Sequence, residues 1–394
     1  MGRAIVLLLF LVFHNSYTRA QNIRLDRGKV SPKSYLEEIK FDVSKGKILV
    51  PVSIAGTTYT FILDTGAPNM ISKDLVDLLE PKVAGSIGVR DATGNKKFLE
   101  VVSLESLKIG NVEFLQTPSL VFDFNHDPVF KCYGIDGIIG SNMLRKSVIQ
   151  LDGKRKILRL ANKANILSLS QATSAPMELL GIQNSPYIWI GLKGTDKARE
   201  RVLVDTGMDK LYAISKTNYT ILKDKKLFQE VGKGIGAGSV GLFGKGPRAE
   251  HYRLVLPKFQ LGNLSLTDYI TTTTNDTDSK IGAELLNYGT MTLDYRKKKF
   301  YFQVDSHIKN SSNPGFGFTA TVDGDKPVIG FVWDEPLKDK IHYGDEILEV
   351  NGVSQELCEF LAGKGDRERL DTLILKIKPR NGDDPFDISL KKRL

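Results

Sequence analysis

The chain has 394 residues, 41% hydrophobic and 26% charged, with a formal net charge of +9. That is enough apolar material for two or three cored domains. Two cysteines, Cys132 and Cys358, exclude a disulfide framework and, without clustered histidines, argue against a structural zinc site. The basic residues are dispersed apart from Arg296-Lys297-Lys298-Lys299, with no interleaved aromatics, which argues against a nucleic-acid partner.

The first twenty residues read as a secretory signal. Arg3 gives a positive start, Ala4 to Phe13 is apolar, and Thr18-Arg19-Ala20 has the small-residue character of a cleavage site. The apolar run is too short to span a bilayer, and no later stretch is apolar enough for a transmembrane helix. No cysteine near Ala20 offers a lipid attachment point, and loss of Arg3 and Arg19 lowers the net charge to +7. The mature chain is therefore expected outside the cytoplasm. A Cys132–Cys358 bridge is disfavoured, because the two residues fall in different predicted domains.

Residues 21–165 form the first predicted domain. KILVPVSIAGTTYTFILDTG reads as an alternating strand, a turn at Gly56 and a second strand ending in Asp64-Thr65-Gly66. An acid behind Phe61-Ile62-Leu63 is costly in a buried strand unless something compensates it. Short helices are predicted at Ser72–Leu79 and Asn142–Lys146, and alternating segments such as SLESLKIGNVEFL fill the space between.

Residues 166–304 repeat the plan. SPYIWIGLKGTDKARERVLVDTG gives another hairpin, turning at Gly194 and ending in Asp205-Thr206-Gly207. Downstream, IIGSNMLRKSVIQLD matches KIGAELLNYGTMTLD: Asp64 precedes Gly140 by 76 residues, and Asp205 precedes Gly282 by 77. Both copies close with a basic turn and a strand, GKRKILRL and YRKKKFYF. This is a structural repeat. Residues 305–311 read as a polar linker. Residues 312–394 form a small β domain with a short helix around Gln355–Leu361.

A pair of acids in one cleft has a definite chemistry. Like charges push the two ionisations apart, so the pair holds one proton near neutral pH. The ionised member can draw a proton from water while the other supplies one to a carbonyl oxygen.

FILDTGAPNMIS and GIIGSNML resemble the two signatures of retropepsin-like aspartic proteases, and the tandem arrangement over about residues 36–304 resembles a single-chain, two-lobed member of the pepsin kind. The resemblance implies a mostly β fold of two pseudo-symmetric β-barrel lobes. It implies that Asp64 and Asp205 are catalytic and that Thr65 and Thr206 interlock beneath them. Gly66 and Gly207 make the turns, and Ile138-Ile139-Gly140 packs behind the first. It further implies a peptide or protein substrate, a monomer with an intrachain dyad, and no metal or cofactor. Two departures stand in the second repeat: Met208 replaces the usual small residue, and Lys280 replaces the first apolar residue before Gly282. Flap candidates are 90–98 and 232–246; neither contains the tyrosine typical of pepsin flaps.

In the tail, PGFGF followed by GDEILEVNG resembles a PDZ domain. The resemblance implies that Gly315, Phe316, Gly317 and Phe318 form a loop receiving the terminal carboxylate of a peptide that adds to the sheet edge.

Other signals are weaker. Gly236–Gly241 formally matches G-x-G-x-x-G but opens no helix, which argues against a dinucleotide site. Asp123, His126 and Asp127 read as a solvated loop. The expectation is an exported aspartic endopeptidase of a bacterial periplasm or envelope. A second reading is a non-catalytic peptide-binding protein whose dyad the surroundings of Met208 disable; a third has two chains each contributing an acid.

Overall fold

The computed structural model describes residues 23–238, 240–305 and 314–393, and the chain is mostly β. The expected signal, 1–20, and all of the expected linker except Asp305 lie outside the described residues.

In the first half, strands Lys47–Ile54 and Thr57–Asp64 pair antiparallel. They are joined by Ala55 and Gly56, both at positive φ (49° and 85°), the two-residue turn whose twist matches a hairpin. The second strand is interior to its sheet, flanked by Lys47–Ile54 on one side and Gly137–Gly140 on the other. This explains why Phe61, Ile62 and Leu63 are all buried where an edge strand would alternate. Gly137–Gly140 runs parallel to it, with Gly140 opposite Asp64.

The second half repeats these pairings. Ser185–Lys193 pairs antiparallel with Lys197–Val204, and the short strand Lys280–Ile281 lies parallel to the latter, with Leu203 opposite Lys280 and Val204 opposite Ile281.

A six-stranded sheet joins the halves. Its central pair, Val148–Asp152 and Gly289–Asp294, comes one strand from each repeat. Gln150 lies directly opposite Thr292 and donates a hydrogen bond to its Oγ1 at 3.0 Å. These two positions correspond under the offset that matches Gly140 to Gly282, so each repeat meets its own counterpart here. One continuous core includes Val50, Phe61 and Leu151 of the first half and Val204, Tyr212 and Leu293 of the second.

The C-terminal sheet has its own core around Ile329, Ile347, Leu375 and Ile377. Strand Phe318–Asp323 lies at one edge, next to Lys326–Val332. The sheet is tied to the rest of the molecule by a bond the sequence reading disfavoured: Cys132 and Cys358 form a disulfide, with Cα atoms 5.1 Å apart. Cys132 lies in the short helix Pro128–Tyr133 and Cys358 in Leu357–Ala362, and the two helices pack together. Separation along the chain hid a neighbourhood created when the tail folds back.

Candidate active site

Each acid ends its hairpin and is held by the turn that follows. The Gly66 N–H donates to Asp64 Oδ1 at 2.8 Å, and the Gly207 N–H donates to Asp205 Oδ1 at 2.9 Å. Neither glycine tolerates a side chain. A Cβ at Gly66 would sit 2.6 Å from the Asp205 carboxyl carbon, and one at Gly207 would reach 2.7 Å from Asp64 Oδ1. Each carboxyl therefore rests against the opposite turn, close enough for each acid to bias the other's ionisation.

The threonines fix this arrangement from beneath. The Thr65 N–H donates to Thr206 Oγ1 (3.0 Å), and the Thr206 N–H donates to Thr65 Oγ1 (3.1 Å). The hydroxyls donate onward across the seam, Thr65 to the Val204 carbonyl at 2.6 Å and Thr206 to the Leu63 carbonyl at 2.8 Å. Both threonines are fully buried, so every donor and acceptor in this cross-linked square depends on the other half of the chain. Ser141 adds a brace, donating to the Thr65 carbonyl at 2.6 Å and meeting Tyr295 Oη at 2.9 Å. Asn142 receives the Asn69 N–H at 2.6 Å.

Met208 leaves the backbone plan intact. Its N–H donates to the Asp205 carbonyl at 3.1 Å, and its own carbonyl accepts from Ala283 at 2.7 Å, as Ala67 accepts from Ser141 at 3.0 Å in the first half. Lys280 changes more. Its ammonium lies 2.9 Å from Asp205 Oδ2 and also pairs with Asp276, and its side chain is only 12% exposed. The matching position in the first half is Ile138, which packs in an apolar cluster.

The electrostatics of the two acids diverge accordingly. Burial, reinforced by the charge of Asp205, pushes the Asp64 carboxyl up to about 7. Burial works against ionised Asp205 as well, but the Lys280 ammonium overrides it by charge and hydrogen bond and holds that carboxyl below its usual range. Below about pH 7 these opposed shifts favour the form with Asp205 ionised and Asp64 protonated.

A family model for aspartyl proteases matches residues 50–143. The match spans both landmarks of the first repeat, FILDTG and GIIG, and so the strands whose pairing sets Gly140 opposite Asp64. No curated protein matches the chain. Similarity to aspartyl proteases over this stretch implies a peptide or protein substrate.

Around the acids lie groups the sequence did not single out. The Lys47 ammonium donates to the Gly207 carbonyl. Asp209 pairs with Lys364 of the C-terminal segment; burial opposes its charge, but Lys364 and Lys47 hold its carboxyl well below the usual range. Lys280 was visible beforehand as a cation in an apolar slot, whereas nothing in the spacing singles out Lys47, Asp209 or Lys364.

The two flap candidates are hairpins that meet at their tips. Strands Lys82–Arg90 and Lys96–Ile109 form the first, and Gln229–Gly236 and Ala249–Leu261 form the second. Asp91 Oδ2 accepts from the Phe243 N–H at 2.8 Å, and Asn95 Nδ2 donates to the Lys245 carbonyl at 3.3 Å. The backbone of the Gly315–Phe318 run is engaged within the C-terminal segment. Gly315 exchanges both backbone hydrogen bonds with Arg393, while the Gly317 carbonyl accepts from the Trp333 and Asp334 N–H groups.

Proposed function

We propose that the chain is an exported aspartic endopeptidase, built as two pseudo-symmetric β-barrel lobes that contribute Asp64 and Asp205 to one site. The observation that carries this reading is the reciprocal Thr65–Thr206 lock, which presents both carboxyls at one seam within a single chain. Water attacks the scissile carbonyl carbon as it gives a proton to the ionised carboxylate, and the protonated carboxyl gives its proton to the carbonyl oxygen. Collapse of the resulting diol breaks the C–N bond, with the newly protonated carboxyl supplying the leaving amine and the diol returning a proton to its partner. The tip-to-tip hairpins serve as flaps over the bound chain. The disulfide supports an oxidising destination such as a bacterial periplasm or envelope, in keeping with the apolar run at residues 4–13.

The C-terminal unit is read as a PDZ-like module that docks a peptide end. The GFGF run preceding the edge strand Phe318–Asp323 supports this. Because the Gly315 N–H is already engaged by Arg393, the carboxylate cradle falls to Phe316, Gly317 and Phe318.

The test is incubation of mature protein with denatured substrate proteins between pH 3 and 8. Cleavage is expected, with loss of at least about a hundredfold in both Asp64→Asn and Asp205→Asn, since acid–base catalysis supplies about 10²–10⁴-fold. Mixing the two variants should restore nothing. Undiminished cleavage by either variant, or rescue on mixing, rules out the intrachain pair.

A further inference from the structure

We propose that Lys280 is a positioning residue that breaks the symmetry of the acid pair, making Asp205 the base toward water and Asp64 the acid toward the carbonyl oxygen. This rests on the catalytic reading of the two acids given above. In a matched dyad either member can hold the proton, because each sees the other half's copy of its own surroundings. Here the backbone surroundings do match: the glycine N–H bonds, the threonine square and the turn carbonyls are duplicated within a few tenths of an ångström. The difference lies in the residue packed behind each acid. On the Asp64 side it is Ile138, 4% exposed among Ile62, Met70 and Phe124. On the Asp205 side the same slot sends a cation to Asp205 Oδ2.

The other charged groups nearby leave this choice to Lys280. From the strand Lys47–Ile54, Lys47 faces both acids, so it favours ionisation of either. Asp276 lies on the far side of Lys280 and pins its ammonium. Tyr187, from the neighbouring hairpin strand, faces Asp278, Asp276 and Lys280, and its hydroxyl stays protonated. Asp209 is engaged by Lys364 and contributes no free charge. Among these groups, only Lys280 is hydrogen-bonded to one acid and not to the other. A buried ammonium held at 2.9 Å stabilises the carboxylate it touches, and the shared proton then resides on Asp64.

The experiment is a carboxyl titration by carbon-13 NMR on mature protein labelled at Asp Cγ, with signals assigned through Asp64→Asn and Asp205→Asn. In the native chain the Asp64 signal should titrate near neutrality, while that of Asp205 should titrate below the ordinary carboxylate range. In Lys280→Met the Asp205 midpoint should rise by about 1–3 pH units, the size of shift an adjacent opposite charge produces. Lys280→Arg should keep it low. Because Lys280→Met strands Asp276, the double variant Lys280→Met/Asp276→Asn removes the whole pair and should show the same rise in a folded background. The acidic limb of any peptidase profile should move upward by the same amount. An Asp205 midpoint unmoved in both Met variants overturns the proposal, as does an Asp205 signal that titrates near neutrality in the native chain. The titration needs no substrate. Absence of cleavage would therefore count against the peptidase reading alone, and an unmoved midpoint in an active enzyme against Lys280 alone.

Discussion

Asp64 keeps its proton in the fold at pH values where the same group in the unfolded chain has lost it. Its carboxyl is held up to about 7, against an unfolded value of about 4. Between these limits the native state binds more protons than the unfolded state, so this group's contribution to stability falls as pH rises through that window and levels off above it. Asp205 behaves oppositely: its lowered carboxyl favours the fold above about pH 4 and loses that benefit under stronger acid. Replacing Asp64 with Asn should remove the first effect. The melting temperature of Asp64→Asn relative to wild type is therefore expected to climb from pH 4 to pH 7 and then hold steady. A difference flat across that range would show that Asp64 is an ordinary carboxylate. Both acids and both threonines were legible in the sequence, because a three-residue word repeated behind apolar strands is hard to produce without a shared role. The partners that set their charge were less so. Lys280 stood out only as a mismatch with Ile138, while Lys47, at the start of its strand, and Asp209, after the second turn, reach the site through tertiary folding that no spacing encodes.

At the scale of single elements, the strand Gln229–Gly236 and the residues after it show how a pattern set aside in the sequence acquires a use. Gly232, Gly234 and Gly236 alternate along the strand, so they share one face, and Gly238 extends the run. That face is covered by strand Lys326–Val332 and Trp333. A Cβ at Gly232 would meet the Trp333 Cβ at 3.1 Å, one at Gly234 the Val332 carbonyl oxygen at 2.9 Å, and one at Gly236 would overlap the Gly330 carbonyl oxygen. The glycines let two backbones approach closely, and Gly236 and Gly238, the first two glycines of the Gly236–Gly241 run set aside as a nucleotide loop, belong to this contact. Gly236→Ala should therefore cost about 1–3 kcal/mol of stability by forcing the strands apart, and should speed amide exchange in residues 326–333. Gly365→Ala, where a Cβ meets nothing within 4 Å, serves as the near-neutral control. Equal exchange in the two variants would remove the packing role. The helix expected at Ser72–Leu79 is present as Lys73–Leu79 with Ser72 as its cap, because a cap followed by an apolar period is a local signal. Pro128–Tyr133 was missed although Asp127, Pro128 and Gly134 spell its cap, first turn and stop; at six residues it has too little period to register.

Taken whole, the molecule holds its C-terminal sheet through surface contacts of Lys245 with Asp323 and Tyr343, and at three further places that differ in strength. Lys364–Asp209 is a single ion pair whose side chains stay 41% and 31% exposed, so solvent screens part of its attraction. The glycine-faced strand contact is closely packed and is joined by the buried Arg253 facing Asp334 at 3.9 Å. The disulfide is the third tie and spans 226 residues of sequence. By chain entropy alone, a closed loop of that size destabilises the unfolded state by about 5 kcal/mol. The C-terminal sheet has a core of its own, separate from the cluster that fuses the two repeats, so its cooperativity with the rest must come through these contacts. In the oxidised protein the disulfide keeps the tail at high effective concentration beside Gln229–Gly236, and a single calorimetric transition is expected. In Cys132→Ser/Cys358→Ser the strand packing with Arg253 and Asp334 remains, together with the Lys364–Asp209 and Lys245–Asp323 ion pairs, but no covalent tie. The C-terminal sheet should then melt as a separate, earlier transition, with amide exchange in Phe318–Asp323 and Lys326–Val332 rising ahead of that in Val148–Asp152. The main transition should shift less, since the Thr65–Thr206 square and the six-stranded sheet are held by contacts that do not involve the C-terminal sheet. One unshifted transition in the double variant would mean that the non-covalent contacts, the glycine-faced packing chief among them, couple the tail to the acid-bearing halves, and that the disulfide is dispensable to the assembled fold.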